Sequence, residues 1–208
     1  MKTQVNFLLA GVGGQGTILA SDVLVNVGLA AGFHAKQAEV HGMSQRGGSV
    51  TSHVRWGREI FSPLIGLGEV DVLLAFEKLE ALRSVKWMRP GAMALINMQA
   101  ILPLGVISGE QTYPTDDSLR QVFSQLTSNV AYINGEKIAG ELGNVKVTNV
   151  VLVGALSALL ENGILDVGEI PPEAWLKVIT GRVPPQHVEL NRMAFISGRQ
   201  AVTGNKNQ

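Results

Sequence analysis

Between a short apolar run, residues 5–10, and a helical pattern that begins at Thr17 lies the string Gly11-Val12-Gly13-Gly14-Gln15-Gly16. Strand, glycine turn, helix is the arrangement that this order dictates. Glycines placed there let the backbone turn sharply and bring its amides close to whatever sits at the helix N-terminus, where aligned peptide dipoles favour an anion. The G-x-G-x-x-G spacing in this context is that of a phosphate-approaching turn. The same glycines also serve where strand and helix merely pack closely, and both readings stand. A P-loop is disfavoured, because Gly16 is followed by Thr17 with no lysine placed to reach terminal phosphates.

The pattern continues as alternating strand and helix signals. Residues 17–31 read as a helix with Ile18, Val25 and Leu29 on one apolar face and Gly32 as its stop. Residues 35–40 form a strand pattern, and 50–56 set Val50, Ser52, Val54 and Trp56 against Thr51, His53 and Arg55, the period of two of a half-covered strand. Residues 70–75 are apolar without alternation, as a central parallel strand covered on both faces is, and 76–88 follow with helical spacing that Arg89-Pro90-Gly91 ends. A buried-type strand over 92–97, a helix over 116–128 capped by Thr115 and a short strand over 130–133 complete the series. This predicts an α/β chain with a doubly wound, mostly parallel sheet and helices on both faces. The C-terminal third is helical: 147–160, then a helix opened by Pro171 or Pro172 and running through Ile179, then 186–202 after Pro184-Pro185. Stretches 163–168 and 181–185 read as connectors, so one domain is expected over 1–202, with a polar tail over 203–208.

Composition narrows the function. A chain of 208 residues, 46% hydrophobic and 16% charged, is long enough to close a core as one domain. Seventeen basic against 17 acidic side chains leave formal net charge zero, so no overall field draws nucleic acid or anionic lipid. The absence of cysteine excludes disulfides, thiolate-held iron-sulfur clusters, cysteine zinc sites and a cysteine nucleophile. The opening ten residues are too briefly apolar for a signal peptide, and 147–160, interrupted by Thr148, Asn149 and Ser157, falls short of the roughly 20 residues that span a bilayer. A cytoplasmic protein without a membrane or nucleic-acid partner is expected.

A second glycine-rich loop, His41-Gly42-Met43-Ser44-Gln45-Arg46-Gly47-Gly48-Ser49, follows Glu39 at what should be the carboxyl edge of the sheet, where open α/β sheets bind ligands. Arg46 can clamp a phosphate or carboxylate, and His41 can carry a proton or simply hydrogen-bond within the loop. Glu39 is the one acid near the spacing at which a dinucleotide site holds a ribose hydroxyl. Glu77, just past the apolar strand 70–75, either faces the same crevice or is a first-turn glutamate favoured by the helix dipole. His34, His53 and His187 are scattered without metal-ligand spacing, so no metal site is assigned.

Three strings then act together: Gly11 through Thr17, Glu39-Val40-His41-Gly42-Met43-Ser44-Gln45-Arg46-Gly47-Gly48-Ser49-Val50, and Phe76-Glu77-Lys78-Leu79-Glu80-Ala81-Leu82-Arg83. They resemble the γ-type subunit or domain of 2-oxoacid:ferredoxin oxidoreductases. The indolepyruvate branch, whose small subunit is called β, is the nearest, its pattern including a Ser62-Pro63-Leu64-Ile65 strand and a Val183-Pro184-Pro185 turn before the last helix. The resemblance implies oxidative decarboxylation of a 2-oxoacid, indolepyruvate or another arylpyruvate, to an acyl-coenzyme A with ferredoxin as acceptor. Small subunits for pyruvate, 2-oxoglutarate and branched-chain oxoacids resemble the chain too. Thiamine diphosphate, magnesium and the iron-sulfur clusters are then expected on a large partner subunit, through which ferredoxin is reached. The two loops would meet that partner, or close over the coenzyme A or thiamine site. On this reading the isolated chain has little activity, can form a homodimer, and exposes an apolar patch for which Trp56, Met43 and Ile60 are the candidates, ordinary core being the other reading of those three. Two readings of other classes stay open: an autonomous NAD(P)-dependent oxidoreductase using Gly11, Gly13, Gly16 and Glu39, and an interaction module without a ligand.

Overall fold

The computed structural model describes residues 4–41, 48–161 and 168–204. In chain order they form β1 (Gln4–Val12), α1 (Thr17–Ala30), β2 (His34–His41), β3 (Ser49–Gly57), β4 (Val70–Ala75), α2 (Lys78–Ser84), β5 (Met88–Asn97), α3 (Leu104–Ile107), α4 (Asp116–Leu126), β6 (Val130–Ile133), α5 (Gly135–Glu141), α6 (Thr148–Glu161), α7 (Pro172–Thr180) and α8 (Val188–Thr203). Because side chains alternate along a strand, β1 buries Val5, Phe7 and Leu9 in one layer and Leu8 and Ala10 in the other. It is therefore a central strand. The sheet runs β2-β3-β1-β4-β5-β6. β1, β4, β5 and β6 pair in parallel, as the unalternating run over β4 predicts, while β3 runs antiparallel to both β1 and β2. The sheet is thus mixed, with helices on both faces. From β1 the chain winds to one side and from β4 to the other, so the winding reverses between their carboxyl ends.

One layer packs α1, α6, α7 and α8 against the sheet; the other packs Ala81 of α2 with Leu119 and Phe123 of α4. α1 ends at Gly32 as its sequence predicts, with φ of +87° there. Its buried face departs from the apolar stripe: Ile18 and Leu29 are each 49% exposed and Val25 is half-buried against the core, while the buried side is Ala20, Ser21, Val23, Leu24, Val27 and Gly28. The reason is Trp56 of β3. Its indole occupies the space that a Cβ on Gly28 would need, and its Nε1–H donates to the Leu24 carbonyl at 3.1 Å. A bulkier helix face could not accept that ring.

Other sequence expectations fare unevenly. Thr115 caps α4, accepting the Ser118 N–H at 3.2 Å. The helical stretch after β4 is short: α2 ends at Ser84, a 3-10 turn follows, and Arg89-Pro90-Gly91 lies inside the first part of β5, where its register against β4 shifts. Ser62-Pro63-Leu64-Ile65 is no strand but part of an irregular segment. Trp56 and Ile60 are 0% and 2% exposed and belong to the interior rather than to a surface patch, while Met43 lies outside the described residues. So do 162–167, which hold most of one expected connector, and 205–208 of the tail; α8 itself continues through Thr203.

Candidate functional site

The glycine turn sits at the reversal between β1 and β4, and its sequence is dictated by two pressures. Gly14 and Gly16 take φ of +107° and +78°, a left-handed backbone that side chains disfavour. Gly11 and Gly16 are also crowded: a Cβ on Gly11 would stand 2.8 Å from Gln15 Oε1 and 3.0 Å from Phe76 Cβ, and one on Gly16 would stand 2.5 Å from Asn149 Nδ2. Close packing thus accounts for both positions.

Gln15 fastens the turn. Its Oε1 accepts the Val12 N–H at 2.7 Å, and its Nε2 donates to the Phe76 carbonyl at 3.1 Å and to Gln99 Oε1 at 2.8 Å. Gln99 in turn donates to Glu136 Oε1 at 3.1 Å. The chain of amides fixes three strand ends to one another and leaves Gln15 no spare donor. Gly13 N–H donates to the Gly48 carbonyl at 3.0 Å, so the turn does meet the end of the second glycine-rich loop.

Above this floor opens a cavity of about 430 Å³ whose lining includes Gly14, Gly16, Phe76, Gln99, Glu136 and Lys146. Gly16 is the N-cap of α1 and supplies no side-chain cap, so the positive end of a 14-residue helix is presented at the cavity wall. Lys146 adds a cation and Glu136 an anion, both on exposed side chains. A smaller cavity of about 160 Å³, lined by His187, Asn149 and Asn191 among others, adjoins it through the shared Lys146. Gln99, Glu136, Lys146 and Asn149 were not among the sequence candidates. Only Gln99 carried a signal, lying two residues beyond the carboxyl end of β5, the edge at which such sheets bind ligands.

Glu77 does not face this cavity. Only 1% exposed, it caps α2: one carboxylate oxygen accepts the Glu80 N–H at 2.9 Å, and the other accepts the Ile101 N–H at 3.0 Å and the Tyr113 hydroxyl. Burial, and then the hydrogen bond to Glu77, push the Tyr113 phenol well above its ordinary value. Glu80, also buried, accepts from Ser49 Oγ at 2.5 Å and from Arg83 at 2.6 Å, which ties α2 to the residue after Gly48.

Glu39 is exposed on the edge strand, and β3 stands between it and β1: Glu39 pairs with Ser52, which pairs with Leu9. Two strand spacings put it roughly 10 Å from the strand that feeds the turn. It is misplaced for a ribose held over Gly11, Gly13 and Gly16, and the NAD(P) reading loses its acid. His41 closes β2 opposite Val50; Met43, Ser44, Gln45, Arg46 and Gly47 lie outside the described residues. Among the described residues no three His, Asp or Glu gather closely enough to hold a metal ion, and the chain has no cysteine. These residues do not fit magnesium-thiamine diphosphate or a thiolate-held cluster.

Fold and turn together define a helix-covered α/β chain with its crevice at the sheet's point of reversal. Residues 6–201 match the family model described as pyruvate ferredoxin/flavodoxin oxidoreductase, and the chain belongs to that family. It is 37% identical over 199 residues to indolepyruvate oxidoreductase subunit IorB of Thermococcus kodakarensis, covering 95% of this chain and 96% of the relative. It is 39% identical over 204 residues to the subunit of the same name from Archaeoglobus fulgidus, covering 97% of each. Among solved structures, the γ subunit of a keto/oxoacid ferredoxin oxidoreductase from Geobacter sulfurreducens superposes with a TM-score of 0.68 at 25% identity, over 96% of this chain and 99% of that one.

Proposed function

We propose that this chain is the small subunit of a 2-oxoacid:ferredoxin oxidoreductase acting on indolepyruvate or a related arylpyruvate. The observation that carries the reading is the identity of 37% and 39%, over nearly the full length of both partners in each comparison, to subunits named for indolepyruvate. In the overall reaction the bond between the oxoacid's carbonyl carbon and its carboxylate breaks, carbon dioxide leaves, the coenzyme A thiol gives up its proton as its sulfur bonds to the acyl carbon, and two electrons pass to oxidised ferredoxin. Thiamine diphosphate with magnesium and the iron-sulfur clusters reside on a larger partner subunit, which is also the route to ferredoxin. The absence of cysteine from this chain supports that division.

What this chain contributes is binding and shape. The cavity over the α1 N-terminus, with Lys146 on its wall, suits an anionic group. We assign it to an anionic part of coenzyme A, lined by Gly14, Gln15 and Gly16 of the turn that begins at Gly11 and Gly13, with Arg46 as a further candidate to pair with the anion. The stretch from Glu39 to Gly48, including His41, Met43, Ser44, Gln45 and Gly47, meets the partner. The chain works in the cytoplasm; among the described residues no helix is long and apolar enough to cross a membrane.

Native purification from the source cells tests the assembly. A brown, thiamine-containing large subunit should accompany the chain, and the isolated chain should bind no NADH at micromolar concentration. Recovery of the chain alone, with micromolar NADH affinity, would instead favour the autonomous NAD(P) oxidoreductase.

A further inference from the structure

Residues 58–69, between β3 and β4, have no regular secondary structure and lie across the face of β2 and β3 opposite α1. Side chains rising from the strands beneath hold this strap by its backbone. The Ile60 N–H donates to His34 Nδ1 and the Ile65 N–H to His53 Nδ1, both at 3.1 Å. Lys36 Nζ donates to the Phe61 carbonyl at 3.2 Å, and one Arg55 nitrogen donates to the carbonyls of Ser62 at 2.9 Å and Leu64 at 2.8 Å. Asn6 Nδ2 holds the far end through the Glu69 carbonyl at 2.9 Å. Ile60 and Ile65 point inward at 2% and 4% exposure, while Phe61, at 83%, faces out.

The two histidine contacts differ in kind from the others. A ring nitrogen that accepts an N–H carries no proton, so both imidazoles are neutral with hydrogen on Nε2. Protonating either ring sets an N–H against an N–H. The lysine, arginine and asparagine donors do not change state between neutral and mildly acid pH. We propose that residues 58–69 form a latch held shut by two neutral imidazoles, His34 and His53, and opened by acid.

The surroundings favour that sensitivity. Burial, and then Arg55 on its own strand, lower the pKa of His53 below 6.5, so the buried ring resists the proton until the medium is acid. The Trp87 ring meets it edge-on with centroids 5.3 Å apart, and Leu8 and Ala38 are its neighbours on β1 and β2. The other charged groups around the latch are Lys36 on β2, Asp71 of β4 with Arg89 of β5 beyond Asn6, Lys86 in the turn after α2, and Arg58, Glu59 and Glu69 in the strap itself. Opening uncovers Ile60 and Ile65 and leaves the central strands in place.

Amide hydrogen exchange of the full chain, corrected for intrinsic rates, reads the latch. From pH 7.5 to 5.0 the protection of the Ile60 and Ile65 amides should fall about tenfold or more while that of Leu73 in β4 holds. The double variant His34→Asn, His53→Asn keeps an acceptor near each Nδ1 position that does not titrate, and should abolish the fall. Unchanged protection at Ile60 and Ile65 down to pH 5.0, or the same fall in the double variant, overturns the proposal. If the double variant does not fold, nitrogen chemical shifts of the wild-type imidazoles decide: hydrogen on Nε2 supports the latch, and hydrogen on Nδ1 at neutral pH overturns it.

Discussion

Gln15 and Gln99 are joined side chain to side chain, the Nε2 of the first donating to the Oε1 of the second at 2.8 Å across 84 positions of sequence. That bond closes the floor of the cavity between the ends of β1 and β5. Gln15→Ala removes it together with the bonds to Val12 and Phe76; the Val12 N–H loses this acceptor, while the Phe76 carbonyl keeps the Asn97 amide at 3.0 Å. A loss of about 1–3 kcal/mol is expected, read as a lower urea midpoint at unchanged slope. A variant as stable as the parent would mean that the turn holds itself.

α6 and α8 cross with their backbones almost touching. A Cβ on Gly198 would fall well under 3.0 Å from the Val151 carbonyl, and one on Gly154 likewise from the Phe195 carbonyl. Neither neighbour is a side-chain tip that can swing away. Gly198→Ala should therefore cost about 1–3 kcal/mol or more through forced separation of the helices, although alanine is the better helix former. Gly204→Ala, at a position with open space, serves as the control and should be near neutral. Thermal unfolding of the pair checks the contrast.

Both of the chain's tyrosines are held neutral past their ordinary pKa of 10.0. For Tyr113 the causes are burial and then the hydrogen bond to Glu77; for Tyr132 burial outweighs the opposing pull of Arg120. A phenol whose native pKa is raised favours folding most below pH 10, and that contribution drains away as pH rises from there toward the native value. Phenolate absorbance of the native chain should lag that of the unfolded chain above pH 10. Tyr113→Phe should remove the larger share of the lag, and coincident titration curves would contradict the Glu77 contact.

Assigning the cavity to an anionic part of coenzyme A makes Lys146 a binding residue. Lys146→Gln in the assembled enzyme should raise KM for coenzyme A about fivefold, the worth of about 1 kcal/mol for a charge at an exposed position, and leave kcat unchanged. Unaltered KM would remove the ligand from this cavity.

The residues differ in how much of this they disclosed. The runs that became β1, β4 and β5 could be read from apolar content alone, and Gly32 and Thr115 announced helix ends by their chemistry. The antiparallel insertion of β3 could not, because alternation says that one face is covered and nothing about which strand lies alongside. The apolar stripe of α1 does not by itself give the buried face, because Trp56, distant in sequence, fills the space beside Gly28 while Ile18 and Leu29 turn outward. At the site, the glycines were legible as a turn, whereas the roles of Gln15 and Glu77 depend on Gln99, Ile101 and Tyr113, which no spacing rule places beside them.

Reconstitution shows whether this chain completes an arylpyruvate-oxidising enzyme whose redox groups lie on a partner. Coenzyme A-dependent viologen reduction should be measured for the large subunit alone, this chain alone and the two combined, with indolepyruvate, phenylpyruvate, pyruvate and 2-oxoglutarate. Only the combination should be active, and the arylpyruvates should give the highest kcat/KM. Equal activity of the large subunit without this chain would contradict the role, and preference for 2-oxoglutarate or pyruvate would contradict the substrate.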